Sequence, residues 1–115
     1  MSLKKDISRN NMSLMVLSVL EKEDLYGYQM IYYLESLSSG VFKFNEGTLY
    51  PILHALEKDG CVTSYWNVIE DSRPRKYYHI TDTGIKLLKE SKKEWEEYVG
   101  AVNAVLCGGV LNAYT

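Results

Sequence analysis

The chain has 115 residues, a formal net charge of −2 and a hydrophobic content of 46%. This length suits a single modest hydrophobic core and therefore one domain. The apolar runs are too short to span a membrane, and the first residues lack the apolar core of a signal peptide. Cys61 and Cys107 match no disulfide or zinc spacing, which favours a cytoplasmic protein without a metal or other cofactor.

The acidic residues are unevenly distributed along the chain. Many lie in two short segments, and these are Glu21, Glu23, Asp24, Glu90, Glu94, Glu96 and Glu97. The rest of the chain is basic. A net charge of −2 argues weakly against nucleic-acid binding, but a local positive surface is still compatible with it.

Two helices are predicted in the first third of the chain. Residues 11–22 repeat apolar side chains at helical spacing, and Asn10 or Asn11 would cap the start of this helix. Residues 23–40 carry a second apolar stripe that ends at Gly40, a common residue after a helix C-terminus.

Residues 45–60 predict a third helix that stops at Gly60. Its apolar face consists of Leu49, Ile52, Leu53 and Leu56. Pro51 lacks an N–H and is tolerated chiefly in the first helical turn. Either Thr48 caps the helix, or Asn45 caps it and the helix bends at the proline; we favour Asn45.

A β-hairpin is predicted over residues 61–80, because the apolar period changes from that of a helix to two. Residues 61–69 and 75–80 are rich in β-branched and aromatic types, and the segment between them has turn chemistry. Three cations lie near the predicted tip: Arg73, Arg75 and Lys76.

A long helix is predicted from Asp82 to about Leu106, with Thr81 as its cap. Its apolar residues repeat at close to heptad spacing and are Ile85, Leu88, Trp95, Val99, Val102 and Leu106. The glycines at 108–109 mark its end, and residues 108–115 are expected to form a flexible tail.

This order of elements is that of a winged helix-turn-helix domain. The sequence therefore predicts a mainly α fold with a small β-hairpin. Residues 1–80 would form the winged helix-turn-helix domain and residues 81–107 a C-terminal dimerisation helix. In such domains the third helix enters a DNA groove, and the hairpin, called the wing, reaches the neighbouring backbone.

The outward face of the third helix suits that role. It carries Gly47, Tyr50, Pro51, His54 and Lys58, with Thr48 at its flank. Hydroxyl, imidazole and ammonium donors bind base edges and phosphates. Outward faces of helices are often polar for solubility alone, but the neighbouring cationic wing favours a DNA-binding surface.

The segments "GTLYPILHALEKDG" at 47–60 and "SRPRKYYHITDTG" at 72–84 resemble the PadR family of bacterial transcriptional regulators, and "YGYQM" at 26–30 fits as well. The resemblance covers residues 12–106. It implies a dimeric winged-helix repressor that binds a palindromic operator in double-stranded DNA, in the short form with a single C-terminal helix. The wing loop departs from a glycine-rich form at Asp71 and Ser72, which leaves its conformation open.

On this interpretation, the residues predicted to contact DNA are Thr48, Tyr50, His54, Lys58, Arg73, Arg75, Lys76, Tyr28 and Lys4. The wing cations would bind phosphates, for which arginine offers a planar fork, and Pro74 would limit the freedom of the loop. Tyr28 or Tyr32 would give a hydroxyl to a phosphate. Lys4 belongs to a basic start that forms either a DNA-binding arm or a disordered segment.

The long helix needs a partner, because about 25 residues span roughly 37 Å, more than a three-helix core can cover. Its distal stripe comprises Trp95, Val99, Val102 and Leu106. The resemblance supplies the same helix of a second subunit as the partner.

Trp95 has two interpretations. It is either an interface anchor or, because some short PadR-like regulators hold flat aromatic compounds between paired tryptophans, part of a ligand site with Met12, Met15 and Val99. The neighbouring Glu94, Glu96 and Glu97 would favour a cationic or neutral planar molecule.

Two other classes of protein are alternatives to a DNA-binding regulator. A winged-helix protein-interaction module would need neither a basic wing nor a polar third helix. An enzyme is disfavoured because His54 and His79 show no pairing with a nucleophile. We therefore expect a protein that is not an enzyme.

Overall fold

The computed structural model describes residues 3–68 and 73–108, with the backbone alone described for residues 3–10. The elements are α1 (Leu3–Lys22), β1 (Leu25–Tyr26), α2 (Gly27–Leu37), α3 (Glu46–Lys58), β2 (Val62–Asn67), β3 (Arg75–Ile80) and α4 (Asp82–Cys107). The predicted fold class, mainly helical with a β-hairpin wing, is confirmed.

The wing is part of a three-stranded antiparallel sheet with the order β1-β3-β2. Val62 pairs with Ile80 at the base of the hairpin, and Asn67 pairs with Arg75 toward its tip. The sequence did not predict β1. Its two residues are too short to show an alternating pattern, and the strand is defined by the pairing of Leu25 with Tyr78.

The starts of the first two helices differ from the prediction. α1 begins at Leu3, so Asn10 and Asn11 lie inside the helix and neither is its cap. α1 packs against α4, α2 and α3, and such packing stabilises a helix more than local capping does. α2 begins only at Gly27, because the preceding residues pair with β3; the backbone N–H of Tyr26 donates to Gln29 Oε1 at 3.1 Å.

One hydrophobic core connects all of these elements. Its members are Val16, Leu17, Leu20, Leu25, Met30, Leu34, Phe44, Leu49, Leu53, Leu56, Cys61, Val62, Tyr78, Ile80 and Leu88. Within the described residues no polar or charged residue is buried. A hydrogen bond of 2.6 Å from the Ser64 hydroxyl to Glu57 Oε2 further links β2 to α3. The core thus fixes the position of α3 relative to the wing.

α4 extends far beyond this core. Thr81 caps it as predicted, since its Oγ1 accepts a hydrogen bond from Gly84 N–H at 3.1 Å. The helix has 26 residues and is followed by Gly108, which caps its C-terminus with a φ of 64°. Only Gly84 and Leu88 are buried along it, and both lie in its first third. The predicted tail lies outside the described residues from position 109 onward.

Candidate nucleic-acid interface

α3 presents most of the predicted polar surface to solvent. Asn45 caps the helix, as favoured from the sequence, because its Oδ1 accepts a hydrogen bond from Thr48 N–H at 2.9 Å. Pro51 lies inside the helix. The exposed outward residues are Gly47, Pro51, His54 and Lys58. His54 and Lys58 are four residues apart and therefore share one face.

Tyr50 is the exception on this face, because it is half-buried and packs against the core. Its hydroxyl lies against Gly27, the first residue of α2, where a Cβ atom would overlap the Tyr50 oxygen. Glycine at position 27 therefore leaves the space that the tyrosine ring occupies. The ring joins the outward side of α3 to the start of α2.

A groove of about 280 Å³, which we call the wing groove, lies where α2, α3 and the hairpin meet. Its lining residues are Tyr26, Gly27, Tyr28, Tyr50, Trp66, Arg73, Pro74, Arg75 and Lys76. The structure therefore brings together five of the predicted DNA contacts: Tyr28, Tyr50, Arg73, Arg75 and Lys76. Aromatic rings and cations side by side suit stacking and phosphate contacts.

The three cations of the wing groove differ in their surroundings. Arg73 is exposed. The guanidinium of Arg75 lies over the Tyr26 ring, with Cζ 4.4 Å from the ring centroid. The ammonium of Lys76 lies 5.7 Å from the Tyr78 ring centroid, and this side chain is half-buried. Arg73 is therefore the most accessible of the three, while Arg75 and Lys76 are held by aromatic rings.

The Tyr28 hydroxyl is hydrogen-bonded to an acidic neighbour, Glu46. A hydrogen bond to the Glu46 carboxylate, and the charge of that carboxylate, raise the pKa of Tyr28, whereas the charge of Arg73 lowers it. Glu46 is the first residue of α3, where a negative charge favours the helix dipole. The same charge opposes a phosphate at this place. The sequence prediction for Tyr28 did not include Glu46, because nothing in the local spacing brings the two residues together.

The sheet face that carries Tyr77 holds a second aromatic group that the sequence prediction missed. Tyr26, Tyr77 and Tyr65 lie in one row across β1, β3 and β2. The Tyr26 and Tyr77 ring centroids are 5.4 Å apart, and those of Tyr65 and Tyr77 are 5.8 Å apart with the rings stacked. Arg75, Tyr77 and His79 alternate along β3 and therefore lie on the same side of the sheet. This alternation was the sequence signal that could have predicted the face.

Asp24 connects the turn after α1 to this sheet face. It accepts hydrogen bonds from the Tyr65 hydroxyl at 2.6 Å and from His79 Nδ1 at 2.8 Å. Partial burial raises the pKa of Asp24, but these hydrogen bonds and the charge of His79 outweigh burial, so the pKa lies below its ordinary value. The hydrogen bond to Asp24 raises the pKa of Tyr65.

The distal half of α4 carries an exposed apolar surface. Trp95 is 38% exposed and Leu106 is 76% exposed, while Val99 and Val102 are half-buried. The rings of Trp95 and Tyr98 lie 6.1 Å apart between centroids. An apolar stripe that the chain covers only in part has the character of an interface.

Met12 and Met15, the predicted companions of Trp95, are half-buried on α1 and pack against the core. Met15 also lines an apolar hollow of about 330 Å³ between α1 and α2, together with Ser18, Val19, Leu34, Leu37, Ser38 and Phe42. The Met15 side chain, predicted as part of a ligand site with Trp95, therefore also takes part in the contact between α1 and α2.

Some predicted features fall outside the described part of the molecule. These features are the side chain of Lys4 and the turn at residues 69–72. Among residues 3–68 and 73–108, no group of three or more His, Cys, Asp or Glu could hold a metal ion. In the same residues no helix combines the length and apolar character needed to cross a membrane.

The arrangement of a helix-turn-helix, a wing and a cationic groove beside α3 defines a winged helix-turn-helix protein. Residues 16–90 match the PadR-like family of transcriptional regulators, and the chain belongs to that family. The resemblance noted in the sequence is thereby confirmed. The prediction that the protein is not an enzyme is confirmed as well, since members of this family are transcriptional regulators.

Similar proteins agree with this assignment. An uncharacterized protein of Lysinibacillus sphaericus is 33% identical over 94 residues, which cover 82% of this chain and 86% of that protein. Transcriptional regulator YqjI of Escherichia coli K12 is 26% identical over 98 residues, which cover 85% of this chain but 45% of the regulator.

Solved structures share the fold over most of its length. A transcriptional regulator from Clostridium thermocellum superimposes with a TM-score of 0.79 at 33% identity, covering 86% of this chain and 96% of that chain. A PadR family regulator from Clostridium difficile R20291 superimposes with a TM-score of 0.72 at 31% identity, covering 84% and 98% of the two chains.

Proposed function

We propose that this DNA-binding regulator is a homodimeric repressor that recognises a palindromic operator through α3 and the wing groove. The observation that carries the proposal is the shared lining of that groove. Tyr50 of α3 lines it together with Arg73, Arg75 and Lys76 of the wing. A helix seated in the major groove would therefore place these cations beside the flanking phosphates.

Base contacts would come from the exposed face of α3. His54 and Lys58 are exposed on one side of the helix, and Thr48 lies near its start. An imidazole can donate to or accept from a base edge, whereas an ammonium suits either guanine or a phosphate. His54 is therefore assigned to sequence recognition, and Lys58 to a base or the backbone.

Phosphate contacts would come from the wing groove and the start of α2. Tyr28 lies in the first turn of α2, and the N-terminal end of a helix favours an anion through the helix dipole. Arg73 is exposed and free to follow the DNA backbone. A few cations per subunit, doubled in a dimer, give useful affinity through counterion release despite the net charge of −2.

Dimerisation would use the distal stripe of α4, formed by Trp95, Val99, Val102 and Leu106. A two-fold axis at this stripe would place the two α3 helices about 34 Å apart, one turn of DNA. We further propose that a planar aromatic molecule, held by Trp95 with Val99, Met12 and Met15, releases the repressor by favouring a dimer of different α3 spacing.

The test is a binding measurement with the intact chain on the region upstream of its own gene. Light scattering at micromolar concentration should give a dimer, and the upstream region should bind far more tightly than random DNA at one salt concentration. The variant His54→Ala should lose about 1–3 kcal/mol of discrimination at one base position. If the chain binds both the upstream region and random DNA no more tightly than a neutral control protein does, the result would support the alternative of a protein-interaction module.

A further inference from the structure

The first turn of α4 is bonded directly to the turn that ends α3. The Thr81 hydroxyl donates to the carbonyl oxygen of Gly60 at 2.6 Å, and the Thr81 backbone N–H donates to that of Cys61 at 3.0 Å. The same Thr81 oxygen accepts from Gly84 N–H at 3.1 Å. One residue therefore caps α4 and holds two successive carbonyls of the other segment.

Gly84 brings the two segments closer than any other residue would allow. A Cβ atom at position 84 would overlap the Cys61 carbonyl oxygen and lie 2.8 Å from Ile80 Cγ1. The first of these neighbours is backbone, which cannot move aside as the end of a long side chain can. The position of α4 against β2 is thus set by the absence of a side chain at residue 84.

The held carbonyls belong to the turn that directly follows α3, and this turn is bonded back to the last turn of the helix. The N–H of Gly60 donates to Glu57 O at 3.1 Å, and that of Cys61 donates to Leu56 O at 2.8 Å. Gly60 has a φ of +76°, a left-handed conformation that turns the chain out of the helix. On the other side, Thr81 alone separates Ile80 of β3 from the start of α4. α4 therefore follows β3 directly and is bonded back to the turn after α3 through Thr81.

We propose that Thr81 and Gly84 are positioning residues that set the angle between α4 and α3, and through it the preferred spacing of the operator half-sites. This inference rests on the proposed function, because it takes α4 as the dimerisation helix. A tilt of about 5° at the start of a helix roughly 39 Å long moves its far end by about 3 Å, close to the rise of one base pair.

The experiment measures binding of the full chain to operators whose two half-sites are separated by spacers that change one base pair at a time. The wild type and the control Thr81→Ser, which keeps the hydroxyl, should share one preferred spacing. Thr81→Val and Gly84→Ala should prefer a spacing that differs by at least one base pair, or lose the preference, while discrimination within each half-site is kept. Folded variants with the wild-type optimum would overturn the proposal.

A second measurement reads the angle within a single chain and depends neither on DNA binding nor on dimerisation. Its outcome is therefore independent of whether the proposed function holds. Spin labels are placed at the exposed Ala55 of α3 and Ala104 of α4 as cysteines, in a Cys107→Ser background, with unlabelled chain in excess. Thr81→Val should shift or broaden the intrachain distance distribution, and Thr81→Ser should not. Identical distributions in all three proteins would overturn the positioning role even if Gly84→Ala fails to fold.

Discussion

The Tyr50 hydroxyl occupies the space that a side chain at Gly27 would need. A Cβ atom there would overlap the tyrosine oxygen and lie 3.0 Å from Cζ. The atoms in the way are the tip of a tyrosine ring, which can rotate outward. The contact at Gly84 has the opposite character, because the obstacle there is the Cys61 carbonyl of the backbone.

The same substitution is therefore expected to have different costs at the two glycines. Gly27→Ala should change the free energy of unfolding by less than about 1 kcal/mol, because the ring can move and alanine favours the helix. Gly84→Ala should lower it by about 1–3 kcal/mol, as overpacking does in a close-packed interior. Urea unfolding of both variants measures this difference. If both variants lose the same free energy of unfolding, the backbone at position 84 is not a more rigid obstacle than the Tyr50 ring at position 27.

Gly27→Ala is also expected to weaken DNA binding although the protein stays folded. A displaced Tyr50 ring would enter the wing groove, which it lines with the wing cations.

Removal of the exposed wing cation should reduce the salt dependence of DNA binding. Each phosphate contact contributes a slope of about −0.9 to log K against log salt concentration. Arg73→Ala should therefore make the slope shallower by about 0.9 for each subunit bound, or about 1.8 for a dimer, on specific and random DNA alike. Lys93→Ala on α4 removes the same charge away from the wing groove and is the matched control. An unchanged slope for Arg73→Ala would make this arginine a solvated loop residue.

Glu46→Gln is expected to strengthen DNA binding, an unusual direction for a substitution in a binding surface. The carboxylate lies beside the Tyr28 hydroxyl at the edge of the wing groove, where it repels phosphate. The neutral amide removes this repulsion and accepts from the hydroxyl less strongly than a carboxylate does, at a cost of about 0.3–1 kcal/mol to α3 through the helix dipole. Fluorescence anisotropy at several salt concentrations measures the gain, which should shrink at high salt.

The control for Glu46→Gln is Glu35→Gln, an exposed acid on α2 that does not line the wing groove. Both substitutions raise the net charge by one. An equal gain for both would indicate a general charge effect, and weaker binding by Glu46→Gln would mean that this carboxylate contacts a base.

Local signals in the sequence account for much of this molecule. Asn45, Thr81 and the apolar period of α3 predicted two helix starts and the outward positions of His54 and Lys58, because caps and helical faces depend on neighbours a few residues away. The period-two pattern predicted the wing for the same reason.

Contacts between distant segments could not be predicted in this way. β1 exists because Leu25 pairs with Tyr78, and the hydrogen bond of Asp24 to His79 joins residues that are 55 positions apart. The half-buried position of Tyr50 likewise depends on a glycine in another helix. Each of these needs the register of the sheet or the packing of two helices, which spacing along the chain does not contain.

Asp24 should contribute to stability in a pH-dependent way. Its pKa lies below the ordinary value in the folded protein, so its contribution is present above the unfolded pKa of about 3.9 and is lost as the pH falls through the folded pKa. Asp24→Asn should therefore be less stable than the wild type at pH 7, with a gap that narrows below about pH 4. The gap should be modest and salt-dependent because the pair is largely exposed. A gap that is constant with pH would assign the effect to hydrogen-bond geometry rather than to charge.

Trp95 is expected to report on a planar ligand at the centre of the dimer. It is 38% exposed on the distal stripe of α4, and two-fold symmetry would bring two copies together. Stacking on two indole faces would add about 0.5–1.5 kcal/mol per face beyond the burial of area. With Trp66 replaced by Phe to isolate the signal, a planar cationic dye should quench Trp95 emission and saturate at one dye per dimer. Trp95→Ala should lose this binding, whereas Tyr98→Ala, which removes the ring 6.1 Å away, should keep most of it. Dye binding that is equally tight in Trp95→Ala would make Trp95 an anchor of the dimer interface instead of a ligand contact.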